Sequence, residues 1–412
     1  MPTTADYLND LVAQKNSLAK TLADSSVEVG ENETFSTLVP KANKKIMYSG
    51  EDNPLLTKLM NDEVFDFYDD TVTEWKSGIF AMTKIKSLSL PNCKTIGEYY
   101  GMLAPHPTGL FYGAMKLSSI NLPKCTAIHG QGYGTLPMHG VFANTRITEV
   151  YLPECVEINS TCAFQDCIYL TKVDMPKLTT IGHSEGGNLT SCTFYGCTKL
   201  VEVNLPELTL VPKDYIDSSY EGWGHYRDFF GNCSSLQQIS LPKARAIPYG
   251  TFLGCTNLSS VYAPLAEKVG YNAFSNCISL IELELPSCTF IASSGIGVKN
   301  LTKLTLSNGG TTMKFHNSAF TGATSLKTII FDGVLFSDGT DNAKLNFSKN
   351  PLDLDTAKRI INCLENYAET ENEYAHKVTF SSTTLSLLNA EGATAPGDIT
   401  WTEYAYNKGW NI

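Results

Sequence analysis

The stretch LSSVYAPLAEKVGYNAFSNCIS, residues 258–279, decides the fold of this 412-residue chain, because the 22 residues before it follow the same pattern. Those residues, 236–257, read LQQISLPKARAIPYGTFLGCTN and align with it position for position, without a gap. The shared template is L-x-x-I-x-L-P-x-(C or L)-x-x-I-x-x-x-A-F-x-x-C-x-x. A fixed period of this length predicts a repeat architecture before any local element is assigned.

Further copies of the template extend over most of the chain, and we name each unit after its first residue. The units begin at Ile85, Leu117, Ile147, Leu170, Leu200, Leu236, Leu258, Leu280, Leu301 and Leu326. A degraded copy covers residues 72–84. We therefore predict a single array over about residues 63–335.

Each unit has the pattern of one short strand followed by further apolar positions. In ISLP or VNLP the two apolar residues stand two apart, so they share one face of a strand while the residue between them faces water. The proline ends the strand because it has no amide hydrogen to donate. A single unit cannot bury its apolar positions, so we expect units to stack as a solenoid, with parallel strands about 4.8 Å apart.

The composition excludes several classes of function. The formal net charge is -11 and the isoelectric point is near 5.2, whereas binding to nucleic acid or to an anionic membrane needs a basic face. No apolar run reaches 18 residues, so we predict no membrane insertion. The N-terminal residues 1–16 are polar and acidic, unlike a secretory signal peptide. No cofactor motif is present, and we predict none.

Twelve cysteines could indicate disulfides or zinc, but their positions indicate a core. The position two after the proline holds Cys93, Cys125, Cys155 and Cys288, and we align Leu178, Leu208, Ala244 and Leu265 with it in other units. The position three after the phenylalanine holds Cys167, Cys197, Cys233, Cys255 and Cys277. A position that exchanges Cys with Leu or Ala is apolar and buried. Cys162 and Cys192 could complete a four-thiolate zinc site with Cys167 and Cys197, an alternative that the spacing disfavours. Buried thiols suit folding in a reducing cytoplasm.

The flanking segments do not repeat, and they divide the chain into four parts. We predict an N-terminal helical segment over residues 1–46, an N-terminal cap with the degenerate repeat over 47–84, repeats over 85–335 and a C-terminal capping region over 336–412. Residues 4–23 have the spacing of an amphipathic helix that either packs on the first unit or self-associates. At the other end we predict a helix within residues 352–369, with Asp353 or Asp355 as its N-cap and Ala357, Ile360, Ile361 and Leu364 on one face.

The repeat pattern resembles the BspA-like leucine-rich repeat of bacterial surface proteins, over about 270 of the 412 residues. This resemblance implies a β-rich α/β repeat fold, a right-handed leucine-rich-repeat solenoid with a helical N-terminal cap and an α/β C-terminal cap. It also implies a protein that binds or adheres and does not catalyse. The two flanks are similar to segments that bracket such repeats in proteins of gut Firmicutes and their phages or prophages. A phage particle assembled in a cytoplasm would also account for reduced cysteines and for the N-terminus.

One local motif favours an enzyme instead. GHSEG, residues 182–186, matches the G-x-S-x-G nucleophile elbow and would make Ser184 a nucleophile. An elbow must join a buried strand to a helix, but the residues after it lead into the next repeat element without a helical pattern. We therefore predict no catalytic residue.

Four insertions interrupt the repeat, and all occur at the same point of the unit, between the Ile-type position and the phenylalanine. They span Ile96 to Phe111, Ile128 to Phe142, Ile181 to Phe194, and Val211 to Phe230. The shared position places all four on one flank of the predicted solenoid. The inserted units form two adjacent pairs, separated by the uninserted Ile147 unit.

The insertions are rich in aromatic residues and contain five of the seven histidines of the chain. Rings with polar tips stack on sugars or anchor protein partners. The alternatives are that the rings only pack on one another, or that the histidines bind a metal. The candidate ligand-binding residues are Tyr99, Tyr100, His106, His129, Tyr133, His139, His183, Tyr215, Tyr220, Trp223, His225 and Tyr226.

The sequence thus predicts a non-catalytic binding or adhesion protein. It would belong to a bacterial cell surface, be secreted, or belong to a phage particle, and it would recognise a glycan or a protein on a host or bacterial surface. The alternative from a different class is a structural spacer of a phage tail or surface assembly that has no ligand of its own.

Overall fold

The computed structural model describes residues 58–59, 61–76, 78, 80–97, 110–130, 140–182, 192–210, 228–306, 311–337, 344–367, 376–390 and 394–412. The secondary structure of this part is mainly β, with few helices. The strands are β1 (Phe65–Tyr68), β2 (Glu74–Trp75), β3 (Ile85–Ser89), β4 (Thr95–Ile96), β5 (Ser119–Asn121), β6 (Ala127–Gly130), β7 (Glu149–Tyr151), β8 (Glu157–Ser160), β9 (Lys172–Asp174), β10 (Thr180–Ile181), β11 (Glu202–Asn204), β12 (Gln238–Ser240), β13 (Ala246–Ile247), β14 (Ser260–Tyr262), β15 (Lys268–Val269), β16 (Glu282–Glu284), β17 (Phe290–Ile291), β18 (Lys303–Thr305), β19 (Thr311–Phe315), β20 (Thr328–Ile330), β21 (Gly333–Ser337), β22 (Lys344–Phe347), β23 (Lys377–Phe380), β24 (Thr394–Ala395) and β25 (Ile399–Thr400). The helices are α1 (Leu354–Cys363), α2 (Ser382–Leu388) and α3 (Trp401–Asn407).

The units pair through two sets of parallel strands. The front strands lie before the proline and form the sheets β1-β3-β5, β7-β9-β11, β12-β14 and β16-β18-β20. The side strands lie at the Ile-type position and form the sheets β10-β8-β6-β4-β2 and β13-β15-β17-β19-β21. Equivalent residues face one another, as in the row Val150, Val173 and Val203. The array is therefore built from units stacked in register, as the period predicts.

The front strands bury one residue in two, as the alternating pattern requires. In β7, Val150 is fully buried while Glu149 and Tyr151 on either side of it are exposed. Two units contribute the same pattern with other residues, Leu283 between Glu282 and Glu284, and Ile239 between Gln238 and Ser240. The outer face of the front strands is consequently polar, with Tyr68, Tyr151 and Tyr262 exposed on it.

A ladder of turns at the phenylalanine forms the third side of each unit. The rings of Phe80, Phe111, Phe142, Phe164, Phe194, Phe230, Phe252 and Phe274 stack, with neighbouring centroids 5.0 to 5.9 Å apart. The residue two after the phenylalanine has a left-handed backbone, with φ of 58° at Asn144 and 74° at Gly254. Glycine and asparagine recur there because they tolerate this conformation. In the Leu280 unit the buried Ile296 takes the phenylalanine position.

The prediction that the cysteines fill core positions is confirmed for both repeat positions. All nine repeat cysteines are buried, and no disulfide forms among the described residues. The alignment of Leu265 with the position two after the proline is wrong. Leu265 directly follows Pro264 and is 46% exposed, whereas Ala266 fills this position and is fully buried.

The C-terminal part begins where α1 docks on the last front strand. Asp353 is the N-cap of α1, because its side chain accepts from the Thr356 amide, and it also accepts a hydrogen bond from Thr328 in β20. The predicted helix and its apolar face are confirmed, since Ala357, Ile360, Ile361 and Leu364 are buried. Beyond it, β22 and β23 pair in parallel. The rings of Phe320, Phe347 and Phe380 form a second stack.

Several sequence predictions lie outside the described residues, namely the amphipathic helix over residues 4–23 and the candidate nucleophile Ser184. Within the described part of the chain, no helix is long and apolar enough to cross a membrane.

Candidate functional site

The described ends of the four insertions show where each one leaves the array. The first three insertions start at or just after the Ile-type position, beside the side strands, and all four rejoin the described chain before the stacked phenylalanine. The described boundaries are Gly97 and Leu110, Gly130 and Gly140, Gly182 and Cys192, and Leu210 and Asp228. We call the part of each unit between the side strand and the phenylalanine the loop flank.

Strand pairing aligns the points at which the insertions depart. Ile96 pairs with Ile128, Ile128 with Ile158, and Ile158 with Ile181, so these units leave the sheet side by side. The points of return are aligned by a second ladder, in which the Phe142 amide donates to the Ala163 carbonyl and the Phe194 amide to the Phe229 carbonyl. The first three insertions therefore leave the side strands next to one another, and the described ends of all four return at the phenylalanine ladder.

Glycine with a left-handed backbone marks the departure of two insertions. Gly97 has a φ of 85° and Gly182 a φ of 95°, and the amide of each still bonds to the neighbouring unit, at the carbonyls of Trp75 and Ile158. A Cβ atom at Gly97 would lie 1.7 Å from the His129 carbonyl oxygen. Glycine is therefore required where the first insertion passes the backbone of the next unit.

Of the twelve predicted ligand-binding residues, the structure describes His129. It lies in β6 beside Asn159, its side chain is 15% exposed, and its Nε2 atom is 3.6 Å from Oε1 of Glu157 in the uninserted unit. This contact becomes an ion pair when the imidazole is protonated. The other predicted residues lie outside the described residues, namely Tyr99, Tyr100, His106, Tyr133, His139, His183, Tyr215, Tyr220, Trp223, His225 and Tyr226.

The loop flank also carries aromatic residues that the sequence reasoning missed, because they belong to units without insertions. Tyr249 and Tyr271 stack with ring centroids 5.2 Å apart, and both are half-buried. Outside the loop flank, directly after Phe194 of the inserted Leu170 unit, the Tyr195 hydroxyl accepts a hydrogen bond from Nδ2 of Asn232, and burial raises the pKa of Tyr195. The signal was present in the sequence, since Tyr249 and Tyr271 stand two residues after the Ile-type position in consecutive units.

Metal ligation is not supported by the described part of the chain, where no group of three or more His, Cys, Asp or Glu side chains is placed to hold an ion. The two repeat cysteines of the zinc alternative have other partners. The Cys167 thiol donates to the Phe142 carbonyl and the Cys197 thiol to the Phe164 carbonyl, each with an Sγ–O distance of 3.2 Å.

Residues 138–207 and 226–338 match the model of the BspA type leucine rich repeat region, in six copies. These two stretches carry BspA-type leucine-rich repeats. Proteins with this repeat are generally surface or adhesion proteins that act as protein-binding scaffolds. No curated protein sequence matches the chain.

Solved structures of bacterial leucine-rich-repeat proteins are similar to the chain at low sequence identity. A leucine rich cell surface protein from Faecalibacterium prausnitzii is 19% identical, with 64% of each chain covered, less than two thirds of that protein, and a TM-score of 0.35. The T. pallidum leucine rich repeat protein is 23% identical, with 47% of this chain and 75% of that chain covered and a TM-score of 0.29. An internalin from Listeria monocytogenes is 14% identical, with 67% of this chain and 80% of that chain covered and a TM-score of 0.23.

Proposed function

We propose that this BspA-type repeat protein is a non-catalytic binding or adhesion protein of a bacterial cell surface or phage particle. Its ligand-binding surface would be the loop flank, and its ligand a protein or glycan on a host or bacterial surface. The supporting observation is that the pairing of Ile96, Ile128, Ile158 and Ile181 aligns the starts of three insertions, while the phenylalanine ladder aligns the described ends of all four. Four insertions on one flank place their side chains along a common surface, which is how loops on a rigid scaffold form binding sites.

The composition of the insertions supports recognition by aromatic and imidazole groups. The proposed contact residues are the twelve predicted from sequence, of which His129 lies beside Glu157. Tyrosine and tryptophan dominate the binding energy of protein interfaces, since they combine a large apolar area with a hydrogen-bonding tip. The proposal contains no catalytic role for Ser184, because the repeat pattern on both sides of it lacks the helix of a nucleophile elbow.

We further propose a right-handed solenoid as the scaffold, closed by residues 47–84 and 336–412. Docking of α1 on β20 through Asp353 and Thr328 supports the C-terminal closure. The N-terminal helical segment, residues 1–46, is the proposed site of self-association. The alternative function is a spacer of a phage tail or surface assembly, in which the loop flank binds nothing.

Removal of the insertions tests this function. In the uninserted Leu236 unit, two residues, Pro248 and Tyr249, separate Ile247 from Gly250, and Asp228 is the equivalent of Gly250. Replacing residues 212–227 by Pro-Tyr should therefore preserve the backbone of the Leu200 unit, and similar two-residue connectors can replace the other three insertions. Repeat-protein stability is nearly a sum of unit and neighbour terms, so the free energy of unfolding should fall by less than about 3 kcal/mol.

Binding would be compared on a glycan microarray, on immobilised bacterial cell walls and on epithelial cells. We expect the trimmed protein to keep its circular dichroism spectrum and to lose attachment. Tyr151→Ala, on the outer face of the front strands, is the matched control and should bind normally. Attachment that survives removal of all four insertions would show that the loop flank is not the binding surface. No attachment by the intact protein would favour the spacer.

A further inference from the structure

Two tyrosines and two serines form a row along the loop flank of the units that lack insertions. The Gly250 amide donates to the Tyr271 carbonyl, the Asn272 amide to the Ser293 carbonyl, and the Ser294 amide to the Ser318 carbonyl. These bonds place Tyr249, Tyr271 and Ser293 at equivalent positions of three consecutive units, and they place Ser318 of the following unit beside Ser293. Neighbouring units in such a ladder are about 4.8 Å apart.

The ring stack ends at Tyr271. Its ring lies against Tyr249, with centroids 5.2 Å apart and planes inclined by 27°. The next unit along the row places Ser293 beside Tyr271, in the space where a third ring would continue the stack. Because a serine side chain has two heavy atoms, it supplies no ring, and among the described residues no other ring stacks on the second face of the half-buried Tyr271. We call this end of the ring stack the step.

Hydroxyl and imidazole groups line the floor of this step. The hydroxyls of Ser293 and Ser318 are 2.8 Å apart, and the Ser318 hydroxyl is 2.8 Å from Nδ1 of His316. All three residues are half-buried, and the Ser318 amide also donates to Nδ1 of His316. The residues next to this row, Asn272, Ser294 and Asn317, are uncharged. The step thus combines one aromatic wall with a neutral hydrogen-bonding floor.

We propose that this step binds a neutral pyranose sugar. The apolar C–H face of a pyranose stacks on an aromatic ring, and its hydroxyls exchange hydrogen bonds with serine and imidazole groups. A sugar stacked on Tyr271 takes the place of a third ring, about one unit spacing further along, and therefore lies over Ser293 with its hydroxyls toward the linked Ser293 and Ser318 hydroxyls. A protein partner fits less well, because no exposed large apolar side chain adjoins the step in the described part of the loop flank. This site is separate from the insertions, and its ligand class does not depend on theirs.

Ligand-detected and tyrosine ring NMR of the full chain would test the site. The probes are methyl glucoside, methyl galactoside, methyl mannoside and methyl N-acetylglucosaminide at about 10 mM, because typical ligand efficiencies give a Kd of about 1 mM for molecules of this size. We expect at least one of them to bind and to shift the ring signals of Tyr271. The Tyr271→Ala variant should weaken that binding at least about tenfold.

A second variant tests the site by filling it. Ser293→Tyr should add a third ring to the stack, cover the exposed face and abolish sugar binding while the protein stays folded. Tyr271→Phe should retain binding, and Tyr262→Ala, an exposed tyrosine on the front strands, is the matched control. The insertion-trimmed protein should bind the same sugar, which separates this result from the test of the loop flank insertions. Failure of all four sugars to bind, or equal binding by Ser293→Tyr and the unmodified chain, would refute the site.

Discussion

The Cys233 thiol donates a hydrogen bond to the Phe194 carbonyl oxygen of the preceding unit, with an Sγ–O distance of 3.2 Å. The same bond recurs from Cys255 to Phe230 and from Cys277 to Phe252. A thiol is small enough for the core and is still a weak donor, so it adds a second hydrogen bond to a carbonyl that already accepts the amide three residues later in its own unit. Cysteine three residues after the phenylalanine therefore combines core packing with a bond between units. In the Leu117 unit Thr145 takes that position, and its hydroxyl donates to the Phe142 carbonyl.

The thiols should be inaccessible in the native protein. Ten of the twelve cysteines are buried, and burial raises the pKa of the Cys155, Cys255 and Cys288 thiols to about 12. We expect a thiol reagent at pH 8 to modify at most Cys192 and Cys363, which are partly exposed, and to modify all twelve in denaturant. Titration without reductant measures this, and several disulfides in the native chain would contradict the core assignment.

The protein should lose stability at alkaline pH. A thiol whose pKa is higher in the folded than in the unfolded chain stabilises the fold below the unfolded value, near 8.5, and this contribution is lost as the pH rises toward 12. Between these two pKa values, each such thiol lowers the free energy of unfolding by about 1.4 kcal/mol per pH unit. Denaturant unfolding at several pH values between about 9 and 11 measures the slope, and Cys255→Ala should reduce it by about this amount.

The ring stack should tolerate isoleucine better than alanine. Phe230 is fully buried between Phe194 and Phe252. We expect Phe230→Ala to cost about 3 to 5 kcal/mol because of the cavity it leaves, and Phe230→Ile to cost less, since Ile296 fills the equivalent position of another unit. Urea unfolding measures both, and equal losses would show that ring stacking, rather than filled volume, stabilises this side.

Asn350 should stabilise the C-terminal end of the repeats. Its buried side-chain amide donates to the carbonyls of Phe320 and Ala323, over 3.1 and 2.7 Å. Asn350→Ala removes both hydrogen bonds from buried carbonyl oxygens. We therefore expect it to lower the free energy of unfolding by about 2 kcal/mol. Asn350→Asp should cost more, because it places carboxylate oxygens against carbonyl oxygens. The exposed Asn346→Ala is the control, and hydrogen exchange near residue 323 would report local opening. Unchanged exchange in Asn350→Ala would refute this role.

The sequence by itself determined the repeat, its buried positions and the shared position of the insertions, because a period of 22 residues assigns every residue a place in the unit before any contact is known. It also identified α1 and its apolar face, since capping and helical spacing are local properties. It misassigned Leu265, where one residue of offset exchanges an exposed side chain for the buried Ala266. Only the tertiary structure decided which groups meet between units. The thiol of Cys233 and the carbonyl of Phe194 are 39 residues apart, and Tyr271 and Ser293 become neighbours in the row only through the ladder of backbone hydrogen bonds. Such contacts depend on the register between stacked units, which a period predicts in outline and atomic packing fixes in detail.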